Sequence, residues 1–362
     1  MTPPGGHPAV NPDPAVWAWP PPRPVRTSGF APAEAPEGEP YHRLARGSRY
    51  RWWVPPLSLL VLAFLLFFLW VAVALALTIV ALAEGGGLGT GSVRVGEIAS
   101  LAIGLVSAAL LIPIVLLVVR VVQWRRVGTL MSVEGRMRWP WLGRCVALAV
   151  VPVAVSVLLY LPLSDDFRTG TMSGGASSGA EVAAVSVSIL VILLLVPFQS
   201  VAEEVTLRGL VMQWVGSLGA PAHGPGGDRA VARVLRSPAP AILASGTLFA
   251  ALYASAYPGD VWTTATLTVM GTSTAWLTWR TGGLEAAIGL HLVNGLVQLV
   301  LCVLEGRTAA IGTGVVIGAG PPGMGGPFGL ALAVGVMVSY ALTVTWFARR
   351  AGLRRTSAVA RA

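Results

Sequence analysis

The sequence predicts an all-α, polytopic membrane protein with about eight transmembrane helices. Three observations predict it. Of the 362 residues, 54 % are hydrophobic and only 11 % are charged, a balance that excludes an ordinary soluble domain. The apolar residues gather into eight runs, about 55–83, 98–122, 145–163, 181–197, 239–256, 261–279, 284–304 and 327–348. The 25 basic residues are all arginine and flank these runs, as expected where charge sets topology.

Residues 1–50 hold 12 of the 27 prolines and, with the border at Arg51, six arginines. They read as a disordered basic tail, with Pro20–Pro24 able to form polyproline II. Residues 51–178 hold the first three spans. The first exceeds the ~20 residues needed to cross and is expected to tilt. Arg120, near the end of the second, snorkels to the interface. The fourth run ends at Pro197, where a kink is expected, and leads into a helix carrying Glu203 and Glu204. Residues 179–305 carry the polar motifs, and 306–362 the last span and a basic tail. No cleavable signal peptide is expected, because the first apolar run is too long for one.

Placing the N-terminus inside leaves 20 arginines in cytoplasmic segments and three, Arg94, Arg168 and Arg307, outside. Both ends are therefore expected in the cytoplasm of a plasma-membrane protein. The net charge of +9 is explained by this topology, and no nucleic-acid partner is expected. Outer loops carry Asp165, Asp166 and Asp260. Trp52-Trp53, Trp139-Trp141 and Trp276-Trp279 read as interfacial belts. Cys145 and Cys302 read as small core residues.

The chemistry concentrates at Glu203-Glu204-Val205-Thr206-Leu207-Arg208-Gly209. Ionisable residues at a membrane segment are costly and by default functional. Glu204 and Arg208 share one helix face at i,i+4, while Glu203, about 100° away, is free to face elsewhere. Of the four histidines, only His291 lies within an apolar run. That excludes the His-Glu-x-x-His zinc pattern, and a zinc on Glu203, Glu204 and His291 fits poorly; no cofactor and no metal is expected. His291 with Asn294 could donate to an oxyanion, and Glu203 or Glu204 could take a proton from water. The same groups could also simply tie helices together. Glu285, opening the seventh run, suits a helix N-terminus.

The Glu203–Gly209 stretch resembles the Glu-Glu-x-x-x-Arg signature of the CPBP family, the CAAX prenyl proteases and bacteriocin-processing (Abi) membrane proteins. Leu248-Phe249-Ala250-Ala251-Leu252-Tyr253 resembles its middle motif, Phe-x-x-x-His. Thr281–His291 resembles the stretch leading into its last motif, His-x-x-x-Asn. The resemblance spans roughly 180–305. It implies Glu203 as base, Glu204 and Arg208 as its support, and His291 as oxyanion donor. Tyr253 stands where the family has histidine, and Gly295 where it has the last Asn, with Asn294 one place early; Tyr253 and Asn294 are the candidate substitutes. The function so implied is a glutamate-dependent intramembrane endopeptidase acting on a membrane-associated peptide or protein. The alternatives are a catalytically impaired member that acts as a membrane binding or immunity protein, and a transporter-like scaffold.

Overall fold

A computed structural model describes residues 32–83, 96–163, 179–222, 226–254, 260–305 and 326–358. From Ala33 on the chain forms one unit; of the preceding unit, Met1–Pro32, only Pro32 is among them. The polyproline run, the loops with Arg94, Asp165, Asp166, Arg168 and Arg307, and His223 and Tyr257 lie outside the described residues.

The helices are α1 (Val54–Ala83), α2 (Glu97–Ala109), α3 (Leu111–Leu117), α4 (Trp139–Tyr160), α5 (Gly179–Glu204), α6 (Met212–Gly216), α7 (Ala230–Arg236), α8 (Pro238–Ala254), α9 (Val261–Thr281), α10 (Glu285–Leu304) and α11 (Gly326–Arg350). Among the described residues, six helical runs are long and apolar enough to cross a membrane: α1, Glu97–Val122, α4, Gly179–Gly216, α10 and α11. The pair α7 and α8, bent by 59°, makes a seventh if counted as one span. The bend falls at Ser237-Pro238, where proline biases the residue before it to the extended conformation seen at Ser237. The chain is thus an all-α, multi-pass membrane protein.

The count is six or seven rather than about eight, because α9 does not qualify. It carries eight threonines. The hydroxyls of Thr268, Thr272, Thr274 and Thr281 donate to carbonyls four residues back, which satisfies them within the helix. Asp260, expected in an outer loop, caps α9 by accepting from the backbone N–H of Trp262 and Thr263 at 3.0 and 3.1 Å.

The helix does not break at Pro197. α5 runs through it and continues as a π-wound stretch, Val205–Val211, into α6. Within a bundle, neighbouring helices and local rewinding can accommodate the carbonyl a proline frees. The irregularity instead falls immediately after Glu203-Glu204, and π segments recur at functional sites.

α8 and α9 touch through glycines. A Cβ on Gly246 would sit 2.5 Å from the Thr272 side chain, and one on Gly271 would sit 2.6 Å from the Gly246 carbonyl. Small residues permit such close approach, and it turns Phe249 and Tyr253 toward α5. α9 ends at Gly282, whose φ of 71° is a left-handed cap that a Cβ would strain.

The turn into α10 is clamped by the 131–138 loop. Val133 N–H donates to Gly282 O and Leu284 N–H to Met131 O, each at 2.9 Å. Arg138 holds the Glu285 carboxylate with two side-chain bonds of 2.8 and 2.6 Å and a backbone bond of 3.0 Å. Glu285 therefore opens α10 as expected, but its carboxylate serves Arg138. Cys145 and Cys302 are buried in separate apolar clusters. Trp52 and Trp139 are exposed, whereas Trp141, expected in a belt, is core.

Residues 33–50, expected within the disordered tail, are folded against the helices. Tyr41 and Leu44 join the apolar cluster of Val118, Leu130, Met212 and Ile288. Arg43 donates to Gly216 O at 3.3 Å, and Arg46 to Ser217 O at 2.5 Å; cations suit a helix C-terminus such as that of α6. Backbone bonds join Ala33 to Trp124 and Ser357 to Glu39. Proline-rich composition hid this docking, which rests on two apolar side chains and carbonyls that no sequence pattern marks.

His42, placed in the tail, is buried and its Nε2 lies 3.0 Å from Arg236 O. Burial, opposed by that bond and assisted by Arg43, lowers its pKa below the ordinary imidazole value. A neutral histidine in the folded state that protonates more readily when released loses stability as pH falls through the ordinary value, about 6.5. Proteolysis within 33–50 is therefore expected to be faster at pH 5 than at pH 7.5, and a His42→Asn variant to lose that dependence. An equal rate at both pH values would contradict this account.

Candidate active site

α5 and its π-wound continuation, α8, α9 and α10 each bring part of one buried cluster. α5 supplies Glu203 and Glu204, both almost wholly shielded. Arg208 lies one turn on, and its Nη1 donates to Glu204 Oε1 at 3.1 Å, the i,i+4 pair expected. Its Nη2 donates to Thr274 Oγ1 at 2.7 Å and Gly271 O at 3.4 Å on α9. The guanidinium sits 4.5 Å from the centroid of the Phe249 ring on α8, a cation–π contact. Arg208 is 1 % exposed, so these partners replace the water it gave up.

α8 supplies Tyr253, whose hydroxyl donates to Glu203 Oε2. Gln199, one turn before Glu203, donates to Oε1 at 3.0 Å. α10 supplies His291, which stands between the two carboxylates. Its Nδ1 is 2.8 Å from Glu204 Oε1 and its Nε2 3.6 Å from Glu203 Oε2. The Phe249 ring lies 4.6 Å from that of Tyr253, tilted by 38°, and 6.1 Å from that of His291, nearly perpendicular to it.

This geometry assigns distinct tasks. With Nδ1–H directed at Glu204, the neutral imidazole leaves a lone pair on Nε2, and only the imidazolium donates from both nitrogens. Glu204 thus orients the ring and Arg208 balances the charge of Glu204, while Glu203 faces Nε2 and the tyrosine. Glu204 Oε2 and Arg208 Nε are buried with no hydrogen-bond partner among the described residues, polar capacity left for another group. Among the described residues, no three His, Cys, Asp or Glu side chains come together as ligands for a metal.

The structure brings together Glu203, Glu204, Arg208, Tyr253 and His291. Among the described residues, no hydrogen bond joins Asn294 to this cluster. The next residue is the one that faces inward: a Cβ on Gly295 would lie 3.4 Å from Val196 and 4.0 Å from the His291 ring. Sequence reasoning missed Gln199 and Thr274. Gln199 was findable as the lone amide one turn before Glu203. Thr274 was hidden among the threonines of α9.

Residues 185–297 match the family model described as type II CAAX prenyl endopeptidase Rce1-like. No curated protein and no solved structure matches the chain. The matched segment contains the carboxylate pair, Arg208, Tyr253 and His291, the same side chains that meet between α5, α8, α9 and α10. The match supports a kinship of this core, residues 185–297, with the CPBP family of CAAX prenyl endopeptidase-like membrane proteins.

Proposed function

We propose that the protein is an intramembrane endopeptidase of the CAAX-protease type, in a bacterial plasma membrane with both ends cytoplasmic, acting on a membrane-associated peptide or protein. The observation that carries the reading is the convergence of Glu203, Tyr253 and His291, from helices far apart in sequence, within the family-matched segment. Glu203 takes a proton from water as the water oxygen bonds to the scissile carbonyl carbon. The carbonyl electron pair moves to oxygen, where Nε2–H of the His291 imidazolium donates to it. Collapse re-forms the carbonyl, breaks the C–N bond and returns the proton from Glu203 to the departing amine. The hydroxyl of Tyr253 turns from Glu203 to the water or the oxyanion during this sequence.

Substrate trapping with Glu203→Gln tests the reading. An uncut membrane protein should accumulate in the variant and disappear in the wild type. Equal processing by both would remove the catalytic role.

A second reading is supported by two observations. Tyr253 is bonded onto Glu203, and position 295 offers no side chain beside His291. On that reading the protein is a catalytically impaired member that binds a membrane partner. Restoring the family pattern separates the two. Tyr253→His with Gly295→Asn leaves an ordinary contact at 295, and should raise the activity of a slow peptidase about 10-fold or more. Were the wild type already as fast as the double variant, tyrosine would be a competent part of the site.

A further inference from the structure

Four arginines are buried among the described residues, Arg43, Arg125, Arg138 and Arg208, and of these Arg125 has no carboxylate partner there. Arg125 is 4 % exposed. Its Nε donates to Gln123 Oε1 at 2.7 Å, and its Nη1 to Thr129 Oγ1 at 3.0 Å and Gln213 Oε1 at 2.6 Å. All three acceptors are neutral, and among the described residues no carboxylate oxygen lies within 4.0 Å of it. Nη2 is buried with no hydrogen-bond partner among the described residues. Burial lowers the pKa of Arg125 to about 10. An uncompensated buried charge is among the costliest arrangements in a protein. Arg43, Arg138 and Arg208, the comparably buried arginines, all hold carboxylates.

Arg125 lines a partly open cleft with about 460 Å³ of empty space, open side included. Arg49, Tyr50, Gln123, Thr129 and Trp214 also line it. Trp214 contributes a second orphan: its indole Nε1–H is buried without an acceptor among the described residues. The acid on the rim, Glu34, is exposed and engaged at 2.9 Å by Arg126. The cleft thus offers unpaired donors and positive charge, with its carboxylate already neutralised.

Its place in the fold selects the ligand. Val54 and Pro55, which open α1, form part of the wall, and Gln123 follows the last residue of the Glu97–Val122 span. Trp52 and Trp53, beside the cleft in sequence, are exposed. Tryptophans and arginines at the end of a span mark the headgroup level, where basic pockets between helices take anionic lipid headgroups. We propose that this cleft is a binding site for the phosphate group of an anionic phospholipid, held by Arg125 and Trp214 with Arg49 at the entrance. The lipid would stand between residues 33–50 and the rest of the chain, and so would brace that docked segment.

The test uses the full chain. Native mass spectrometry of protein equilibrated with equal phosphatidylglycerol and phosphatidylcholine should show selective retention of phosphatidylglycerol by the wild type. Trp214→Phe keeps an aromatic ring and removes the indole donor, and should weaken retention by roughly 10-fold, the worth of a hydrogen bond to a charged group. Arg125→Gln should abolish it. If that variant fails to fold, Trp214→Phe and Arg49→Gln decide. Millimolar inorganic phosphate separates the sources. Selective retention that phosphate does not displace assigns the site to lipid. A melting-temperature rise with phosphate alone, lost in Trp214→Phe and without lipid selectivity, overturns the lipid and leaves a free-anion site. Equal retention of both lipids with no response to phosphate, or unchanged binding in the variants, overturns the proposal altogether.

Discussion

Glu203→Gln is expected to lower peptide-bond hydrolysis by roughly 10²- to 10⁴-fold, the worth of a positioned general base, with little change in melting temperature. Glutamine keeps the volume and can still bond to Gln199 and Tyr253, which hold the two carboxylate oxygens, but it cannot accept the proton from water. The control is Glu204→Gln. That residue bonds to Arg208 and His291, so its replacement leaves Arg208 buried without its counter-charge. It should lower stability as well as rate, because a buried charge stripped of its partner costs about 3–5 kcal/mol. Single-turnover cleavage of the trapped substrate, measured beside thermal unfolding, separates the two patterns. A Glu203→Gln enzyme with wild-type turnover would leave the cluster a structural knot.

Glu285→Ala is expected to have the largest effect on stability, about 3–5 kcal/mol. Its carboxylate is fully buried and both oxygens are held by Arg138, which also donates to Thr281 O at 3.2 Å. Removing it leaves the guanidinium with one carbonyl in place of an ion pair. The double replacement Arg138→Met with Glu285→Leu should recover much of the loss, since exchanging a whole buried pair for apolar side chains costs far less than halving it. Because Glu285 sits less than two turns before His291 on α10, the single variant should also reduce activity in the fraction that stays folded. Thermal melts of the three proteins in one detergent decide the matter: a Glu285→Ala midpoint equal to wild type would show that the clamp contributes nothing.

What could be read beforehand was whatever repeats locally or stands out against grease. Two acids and an arginine at the end of an apolar run are visible because charge there is expensive. The Glu204–Arg208 pairing is visible because helix geometry fixes which neighbours share a face. The aromatic at 253 and the imidazole at 291 could be joined to them only through a family pattern, since nothing in their own surroundings says that α8 and α10 meet α5. Arg138 and Glu285 are 147 residues apart; each looked like an ordinary flanking charge. Pro197, where a kink is expected, lies inside a continuous helix, since a span's neighbours can absorb a proline, while the winding that did change, at Val205–Val211, contains no residue that demands it. Residues 33–50 misled through composition, where prolines and arginines outweigh the Tyr41 and Leu44 that hold them down.

The seam between Glu39 and Ser357 sets an order of events. Ser357 N–H donates to Glu39 O at 2.9 Å and its hydroxyl accepts from Glu39 N–H at 3.0 Å, across a separation of 318 residues. Chains are made from the amino end at about 5–20 residues per second. The early half of this seam therefore waits some tens of seconds for a partner still on the ribosome. Until the last span has been inserted and released, the newborn protein carries an unlatched collar, and quality-control proteases have their best access to it during that interval.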